Sequence, residues 1–296
     1  MPKDGRPLLA DTIAALAARW RPLRVWSLIV TVFGDAVAPR GGELAVSSLT
    51  EIMEGFGIAG GAVRTALSRL DQDGLIERRR TGRNSFARLT PSAMAEFAAA
   101  SERIYAAQGP AWPGRWTVAV LPAEPGEAAA ARRTLEQAGF RTLGGMAMIA
   151  PTLPGVHADE TPGVMLLDGT VEPGSTFELA RRIYPIHAAT AEFQRLIADF
   201  TPVADALERA ANAPFDLLLA RLALIHDYRR IVLRFPPMPD ALTPDDWPGK
   251  AARALAAGIY AGVREGSEAF LDTHAVNARG FLPPPDARFQ RRFASD

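Results

Sequence analysis

The sequence has 296 residues, enough for two or three domains of about 100–150 residues each. Hydrophobic residues make up 48% and charged residues 22%, which allows substantial buried cores, and the basic and acidic residues balance at a net charge of zero. No cysteine is present, which excludes disulfides, thiolate nucleophiles and cysteine-ligated zinc or iron–sulfur sites, and which favours a reducing compartment.

The N-terminal residues do not match a secretion signal. Asp4 and Asp11 interrupt the segment in which a signal peptide needs an apolar run. The longest apolar block, residues 25–33, is far shorter than the roughly 20 residues that span a bilayer. We therefore expect a soluble, cytoplasmic protein.

The first part of the chain predicts three helices. Apolar spacing indicates a buried helix over residues 23–33, ended by Pro39 and the glycines after it. A short second helix begins with Ser47 or Ser48 as its N-cap and ends at Gly57. A third helix follows the turn at residues 57–60. It has one apolar face and one polar face, and the polar face includes Arg64, Thr65, Ser68 and Gln72.

A basic β-hairpin follows the third helix. Residues 75–78 and 85–89 read as strands, and residues 80–84 form the turn between them. Thr90 and Pro91 then start a further helix as its N-cap and first residue. Between residues 58 and 90, seven arginines stand against three acidic residues, which predicts an anion-facing surface.

This order of elements is typical of a winged helix-turn-helix domain. In such a domain the third helix offers its polar face to the major groove of DNA, and the hairpin lies along phosphates or in the minor groove. The alternative is that the arginines form a solvated face of a small α+β domain, but four arginines within six residues at a hairpin tip favour DNA. The predicted DNA-contacting residues are Arg64, Thr65, Ser68, Arg69, Arg78, Arg79, Arg80 and Arg83.

Residues 55–60 match the pattern G-x-G-x-x-G of dinucleotide-binding proteins. That fingerprint must follow a buried parallel strand, whereas the preceding residues have helical spacing with Glu51 and Glu54 exposed. We therefore expect no dinucleotide here and no cofactor in the protein.

The rest of the chain falls into two further blocks. Strands and helices alternate over residues 115–185, which predicts a small ferredoxin-like α+β domain with a loop at residues 151–162. Residues 186–280 read as a helical domain, with long helices at 215–235 and from about 249 to 274, and residues 281–296 as a frayed, basic tail. The expected fold is therefore α+β, with a winged helix over residues 1–110 followed by these two domains.

Enzymatic chemistry has little support. The four histidines, His157, His187, His226 and His274, form no ligand pair at a metal-binding spacing. No nucleophile elbow or phosphate-binding loop is present, so neither a catalytic residue nor a metal site is predicted. The densest polar group outside the basic block is residues 226–230. It fits an interdomain polar network slightly better than an anionic-ligand site.

Several segments together resemble the PaaX-type transcriptional repressors. They are residues 27–35, 39–42, 62–70 and 83–91 in the N-terminal part, and residues 226–230 and 246–249 in the C-terminal part. The resemblance implies a GntR-like winged helix, a central domain similar to the small CRISPR-associated endoribonuclease, and a helical C-terminal domain. It also implies repression of aromatic-acid catabolic genes that phenylacetyl-CoA relieves.

Two positions depart from this pattern. The family usually has a polar, charged start to the recognition helix, where this chain has residues 59–61, Ala-Gly-Gly. The endoribonuclease places a metal-binding aspartate after its first strand, where this chain has residues 122–124, Pro-Ala-Glu. The first departure argues against a shared operator sequence, and the second argues against a nuclease reaction.

The predicted partners are a double-stranded operator, an acyl-CoA effector and a second copy of the chain. An acyl-CoA needs cations beside an apolar cleft, and the predicted site lies where the second and third blocks meet. Its candidate residues are Arg181, Arg182, Tyr184, His226, Tyr228, Arg229 and Arg230. A homodimer is expected to form through apolar positions of the helical block. The alternative function is a small-molecule or RNA-processing enzyme that uses the winged helix as an interaction module.

Overall fold

The computed structural model describes residues 8–20, 24–152, 161–209, 212–235 and 238–294. The chain forms two compact units. The first comprises Met1–Ala107, Gln194–Leu233 and Ala251–Asp296, and the second comprises Gln108–Phe193 and Arg234–Lys250. Within the described ranges, no helix combines the length and the apolar character that crossing a bilayer requires.

The first unit opens with helix α1 (Leu9–Ala18) and helix α2 (Val25–Val32), which runs on through a π-helical segment (Phe33–Val37) and a 3₁₀ turn (Ala38–Arg40). The helix predicted over residues 23–33 is thus present from residue 25, and Leu23 lies outside the described residues. Strand β1 (Glu43–Ala45) and helices α3 (Val46–Glu54) and α4 (Gly60–Gln72) follow.

The start of α3 differs from the prediction. The helix begins at Val46, and its N-cap is Ala45, which makes no side-chain cap. The hydroxyl of Ser48 instead accepts a hydrogen bond from the Val276 amide at 3.3 Å. Local spacing predicts Ser48 as a candidate N-cap, but its hydroxyl instead bonds a backbone amide that is distant in the sequence.

The turn between α3 and α4 depends on Gly57. Its φ is +73°, a conformation that side chains with a Cβ rarely adopt. The Gly57 amide bonds the Glu54 carbonyl at 2.8 Å, and the Ile58 amide bonds the Met53 carbonyl at 3.1 Å. These two bonds form a Schellman motif, which satisfies the last carbonyls of α3 and redirects the chain into α4.

Strands β2 (Ile76–Thr81) and β3 (Asn84–Leu89) form the predicted hairpin, and helix α5 (Pro91–Ile104) follows it. The strands are longer than predicted, because Thr81 pairs with Asn84 and leaves only Gly82 and Arg83 as the turn. Gly82 has a φ of +60°, as the first central residue of a two-residue hairpin turn requires. β1 pairs antiparallel with β3, so the sheet order is β1-β3-β2.

The second unit contains a four-stranded antiparallel sheet. Its elements in chain order are strand β4 (Trp116–Val120), helix α6 (Pro125–Gln137), strands β5 (Arg141–Gly144), β6 (Ala147–Pro151) and β7 (Met165–Gly169), and helix α7 (Pro173–Ile183). The sheet order is β5-β6-β4-β7. A ferredoxin-like sheet has this order and a helix between its first two strands, as here. In the loop predicted at residues 151–162, residues 153–160 lie outside the described part of the chain.

Each face of this sheet has its own core. Leu135 of α6 packs with Ala119 and Met148 on one face. Ile183 of α7 packs with Trp116 and Ile149 on the other face. Met165 and Leu167 of β7 are in register with Val120 and Val118 on the α7 side, yet they remain 63% and 53% exposed. Part of that face therefore lacks cover within the described residues.

The C-terminal helices are α8 (Ile186–Leu207), α9 (Pro214–Arg234) and α10 (Pro248–His274), with a 3₁₀ turn at Asp240–Leu242. The compact units therefore differ from the three sequence blocks, because most of this helical block belongs to the winged-helix unit. α9 is buried almost all round from Leu218 to Tyr228, so it needs packing partners on several sides. The sequence predicts that the helical block supplies the dimer interface, but most apolar side chains of α9 are buried within the chain.

The predicted frayed tail is wrong for the described residues. After a short hairpin of β8 (Val276–Asn277) and β9 (Gly280–Phe281), Asp286 caps helix α11 (Ala287–Gln290) by accepting from the Phe289 amide at 3.1 Å. Phe289 is 2% and Arg292 is 8% exposed. The basic residues suggested a solvated tail, whereas Arg292 reaches a buried carboxylate.

Candidate nucleic-acid interface

Helix α4 has the two faces that the sequence predicts. Val63, Ala66, Leu67 and Leu70 are buried, and the helix packs against α2 and α3. On the opposite side Arg64, Thr65 and Arg69 are exposed and Ser68 is half-buried. The packing of the apolar face fixes the orientation of this polar face. The polar face remains open to solvent, so it is free to enter the major groove of DNA, which is wide enough for an α-helix.

Arg69 is more constrained than Arg64. Its guanidinium lies over the ring of Trp26 in α2, 5.4 Å from the centroid, and its Nε is 3.6 Å from a carboxylate oxygen of Asp73. Trp26 is therefore a positioning residue that sequence reasoning missed, because a cation–π pair between two helices has no signature in spacing. Among the described residues, Arg64 has no such side-chain restraint and is the freer of the two cations to reach a base.

The arginines of the hairpin emerge on both sides of β2. Arg78, Arg79, Arg80 and Arg83 are all exposed. Alternation along a strand puts Arg78 and Arg80 on one face and Arg79 on the other, opposite Phe86 of β3. The cations thus surround the hairpin tip, an arrangement suited to phosphate contacts rather than to one flat surface.

Arg88 belongs to the same basic block but has a different environment. It is paired in register with Glu77 of β2 on one side and Glu43 of β1 on the other. Opposite charges at paired positions of neighbouring strands attract, so the two glutamates reduce the positive potential around Arg88. Arg88 therefore adds little to the anion-facing surface, and it provides a natural control for the other arginines.

Helix α9 packs on the winged helix through polar side chains. Arg229 donates from Nε to the Thr31 hydroxyl at 2.8 Å and from Nη2 to the Ser27 carbonyl at 2.7 Å. His226 Nδ1 lies 3.0 Å from the same Thr31 hydroxyl. Burial, and then the charges of Arg229 and Arg230, lower the pKa of His226 to about 3, so its ring is neutral at physiological pH.

The other residues predicted around His226 also have defined partners. Tyr228 is buried, which raises its pKa, and it hydrogen bonds Arg253. Arg230 is exposed and lies 3.7 Å from a carboxylate oxygen of Asp227. These contacts form a polar network inside one compact unit.

The turn after α3 lies against the start of α9. A Cβ placed on Gly55 would lie 2.8 Å from side-chain carbons of both Leu219 and Phe215. Such a distance is closer than carbon atoms pack, so any larger residue at position 55 requires Leu219 and Phe215 to move. Residues 55–60 also lie between two helices and do not follow a parallel strand. This agrees with the exclusion of a dinucleotide fingerprint at this turn.

The three remaining ligand candidates belong to the second unit. Arg181 is 46% exposed and lies 4.0 Å from Glu178, and Arg182 donates to the Leu143 carbonyl at 3.5 Å. Tyr184 is buried in the sheet core, and that burial raises its pKa. The predicted set of seven is thus divided between the two units. Within the described residues, no three histidine, aspartate or glutamate side chains form a metal-holding group, and His157 lies outside those residues.

These features define the class of the first unit. A helical core, a three-stranded sheet and an arginine-bearing hairpin make it a winged helix-turn-helix domain. Family models described as "PaaX-like protein" and "PaaX-like protein C-terminal domain" match residues 24–93 and 184–273. The chain belongs to this PaaX-like family.

Two individual proteins are similar to this chain. The protein named "Transcriptional repressor PaaX" from Escherichia coli (strain K12) is 31% identical over 297 residues, which cover 96% of this chain and 94% of that protein. The solved structure of uncharacterized protein Rv0674 from Mycobacterium tuberculosis matches with a TM-score of 0.49 and 22% identity. That match covers 75% of this chain and 89% of the other.

Proposed function

We propose that the protein is a DNA-binding transcriptional repressor and not an enzyme. The observation that carries this proposal is the open polar face of α4 beside an exposed arginine hairpin in a winged-helix domain. The name of the relative from Escherichia coli supports the same function. The base-reading candidates are Arg64, Thr65, Ser68 and Arg69, and the phosphate-binding candidates are Arg78, Arg79, Arg80 and Arg83.

The experiment is selection of bound duplexes from a random pool, followed by affinity measurements at several salt concentrations. A repressor enriches one sequence, and its affinity falls steeply with salt because bound phosphates release counterions. Failure to enrich any duplex, or binding that does not depend on salt, would contradict the proposal.

The proposed regulated genes and effector rest on the resemblance to the family. An aromatic-acid catabolic pathway fits the family name, and the proposed effector is an acyl-CoA such as phenylacetyl-CoA, which releases the operator. Release requires that the ligand bind more tightly to the form that is incompetent for DNA, and DNA must then weaken ligand binding by the same factor. Titration of the protein–duplex complex with the thioester tests this directly: no loss of DNA binding at saturating thioester would remove the effector from the proposal.

The proposed assembly is a homodimer that forms through strand β7. β7 is an edge strand with Met165 and Leu167 exposed, and an open edge pairs readily with another strand. If two copies pair antiparallel about Leu167, Met165 faces Gly169 and Leu166 faces Asp168, so no like charges oppose each other. This pairing has the two-fold symmetry that a winged-helix protein shares with a palindromic operator.

A further inference from the structure

A small pocket lies where helices α2, α5 and α9 meet inside the first unit. Its volume is about 60 Å³, and it is partly open to solvent. Most of its lining is apolar, and the larger side chains there are Val30, Phe97, Ile104, Ile225 and Leu233. Arg229 also lines it, so an apolar space lies beside a cation. Asp35 lines the pocket as well, but its carboxylate is already paired with Arg221 and Arg292.

Arg229 is half-buried, and its partners differ from those of the fully buried arginines in this unit. The guanidiniums of Arg221 and Arg292 lie 2.6 Å and 3.0 Å from carboxylate oxygens of Asp35. Arg229 bonds only the neutral oxygens of Thr31 and Ser27, and no carboxylate of the described residues pairs with it. Its Nη1 makes no hydrogen bond with the described residues.

Buried charges are normally paired, because removing an ion from water is expensive. Burial, and then the charge of Arg230, lower the pKa of Arg229 to about 10. The guanidinium remains charged at neutral pH, and its environment favours the cation less than water does. An anion beside Arg229 would supply the opposite charge that this guanidinium lacks.

We propose that this pocket binds an anionic ligand with an apolar end, and that Arg229 holds the anionic group. The inference rests on the proposed effector control and gives the effector a site within one unit. Two sources share this chemistry. One is the carboxylate of a free aromatic acid, whose ring then enters the pocket, and the other is a phosphate of its CoA thioester, whose acyl end then lies outside the pocket because the pantetheine arm separates the two. Ser101, which lines the same pocket, marks the α5 side of the site.

The size of the pocket suggests how binding changes the domain. A cavity that holds benzene has a volume of about 150 Å³, so an aromatic ring does not fit the present 60 Å³. Entry of the ring must displace the half-buried Phe97 or Leu233 and change the packing of α2 against α5 or α9. Because α2 packs against α4, a ligand that favours the widened pocket acts on the DNA-reading helix.

The first test is calorimetry on the full chain with phenylacetate, phenylacetyl-CoA and CoA. Arg229→Gln is expected to weaken binding of the ligand at least tenfold, whereas Arg279→Gln, at an exposed position of the same unit, changes affinity less than twofold. Binding of phenylacetate identifies the carboxylate as the anion, and binding of the thioester alone identifies the phosphate. If neither ligand binds the wild type, or if Arg229→Gln leaves affinity unchanged, the pocket is not the site.

A second test does not depend on removing Arg229. The chain has no cysteine, so Ser101→Cys introduces a single thiol into the pocket with almost no change in volume. Ligand at saturation is expected to slow alkylation of this thiol at least fivefold, and to leave alkylation of the exposed control Ser47→Cys unchanged. If saturating ligand does not slow alkylation of the thiol at position 101, the pocket is not the ligand site. Protection without release of DNA retains the site and refutes the proposed effector control.

Discussion

Arg292 donates from Nη1 to Oδ1 of Asp35 at 3.0 Å, which ties the C-terminal segment to the core of the winged helix. Asp35 is fully buried, and the hydroxyls of Tyr105 and Tyr260 donate to the same oxygen at 2.6 Å and 3.1 Å. Arg221 of α9 lies 2.6 Å from the second carboxylate oxygen. One aspartate therefore joins α5, α9, α10 and the chain end to the DNA-binding domain.

The charges in this cluster depend on each other. Burial alone would lower the pKa of Arg221, but the negative charges of Asp35 and Glu268 are among the interactions that outweigh burial and raise it. Burial also raises the pKa of Tyr105 well above its usual value, so this phenol stays protonated and can donate to Asp35. Removing one member leaves the others in low dielectric without compensation.

We therefore expect Arg292→Ala to destabilise the protein by about 3–5 kcal/mol, the usual cost of breaking a buried ion pair. Arg291→Ala is the matched control, since Arg291 is exposed, and its cost should be below about 0.5 kcal/mol. Urea unfolding followed by circular dichroism measures both. Equal stabilities for the two variants would show that the tail contributes nothing to the fold.

Local chemistry accounts for the parts of this structure that the sequence predicts. The apolar spacing of α4 and the Thr90 cap of α5 need only nearby residues, and both are present. The Asp35 cluster is different, because its partners Arg221 and Arg292 lie 186 and 257 positions away. No periodic pattern marks such contacts, so the sequence suggested a frayed tail and a separate helical domain.

The same distinction applies to the candidate sites. Exposed arginines on one helix and one hairpin are visible in the sequence, because both elements are local. The pocket beside Arg229 combines residues of three helices, and only the helical spacing of Phe97, Ser101 and Ile104 on α5 could have indicated one of its walls. The sequence therefore indicated Arg229 but not the apolar residues that line the pocket with it.

Arg64→Ala should weaken binding to the selected operator by about 1–3 kcal/mol and reduce discrimination against mismatched duplexes, if Arg64 contacts a base edge. Arg88→Ala should have little effect, because Glu43 and Glu77 flank Arg88 in the sheet. Fluorescence anisotropy with matched and mismatched duplexes gives both quantities. Unchanged operator affinity in Arg64→Ala would exclude the base-reading role.

The double replacement of Arg79 and Arg80 by alanine should weaken all duplexes alike. Each lost phosphate contact lowers the slope of log affinity against log salt by about 0.9, so the expected reduction is about 2. Arg133→Ala, an exposed position on α6, is the control and should retain the full slope. A loss confined to one sequence would show base reading by the wing instead.

Leu167→Asp should convert the dimer to a monomer, because two such strands would place carboxylates opposite each other at the proposed axis. Phe281 is also 63% exposed but lies in the other unit, so Phe281→Asp should leave the dimer intact. Sedimentation velocity at micromolar concentration distinguishes the two species. A wild type that is monomeric with and without DNA would contradict the proposed dimer. If only Phe281→Asp dissociates the dimer, the interface does not lie at β7.

His226 should make the protein lose stability in mild acid. Its pKa is about 3 when folded and about 6.5 when unfolded, so below pH 6.5 the unfolded chain binds a proton that the native ring does not. The stabilising effect is therefore complete above pH 6.5 and is lost as the pH falls towards 3. Between pH 6.5 and 5 the loss is about 2 kcal/mol, at about 1.4 kcal/mol for each pH unit.

The measurement is the free energy of unfolding of wild type and His226→Asn at half-unit steps from pH 7.5 to 5. Asparagine does not titrate, so the pH dependence of the variant comes from all other titratable groups. The difference between the two curves is therefore the contribution of His226. We expect this difference to fall by about 2 kcal/mol towards pH 5, with His274→Asn, an exposed position, as the control that follows the wild type. Parallel curves for wild type and His226→Asn would contradict the prediction, because they would mean that the imidazole gains its proton without cost despite its burial beside Arg229 and Arg230.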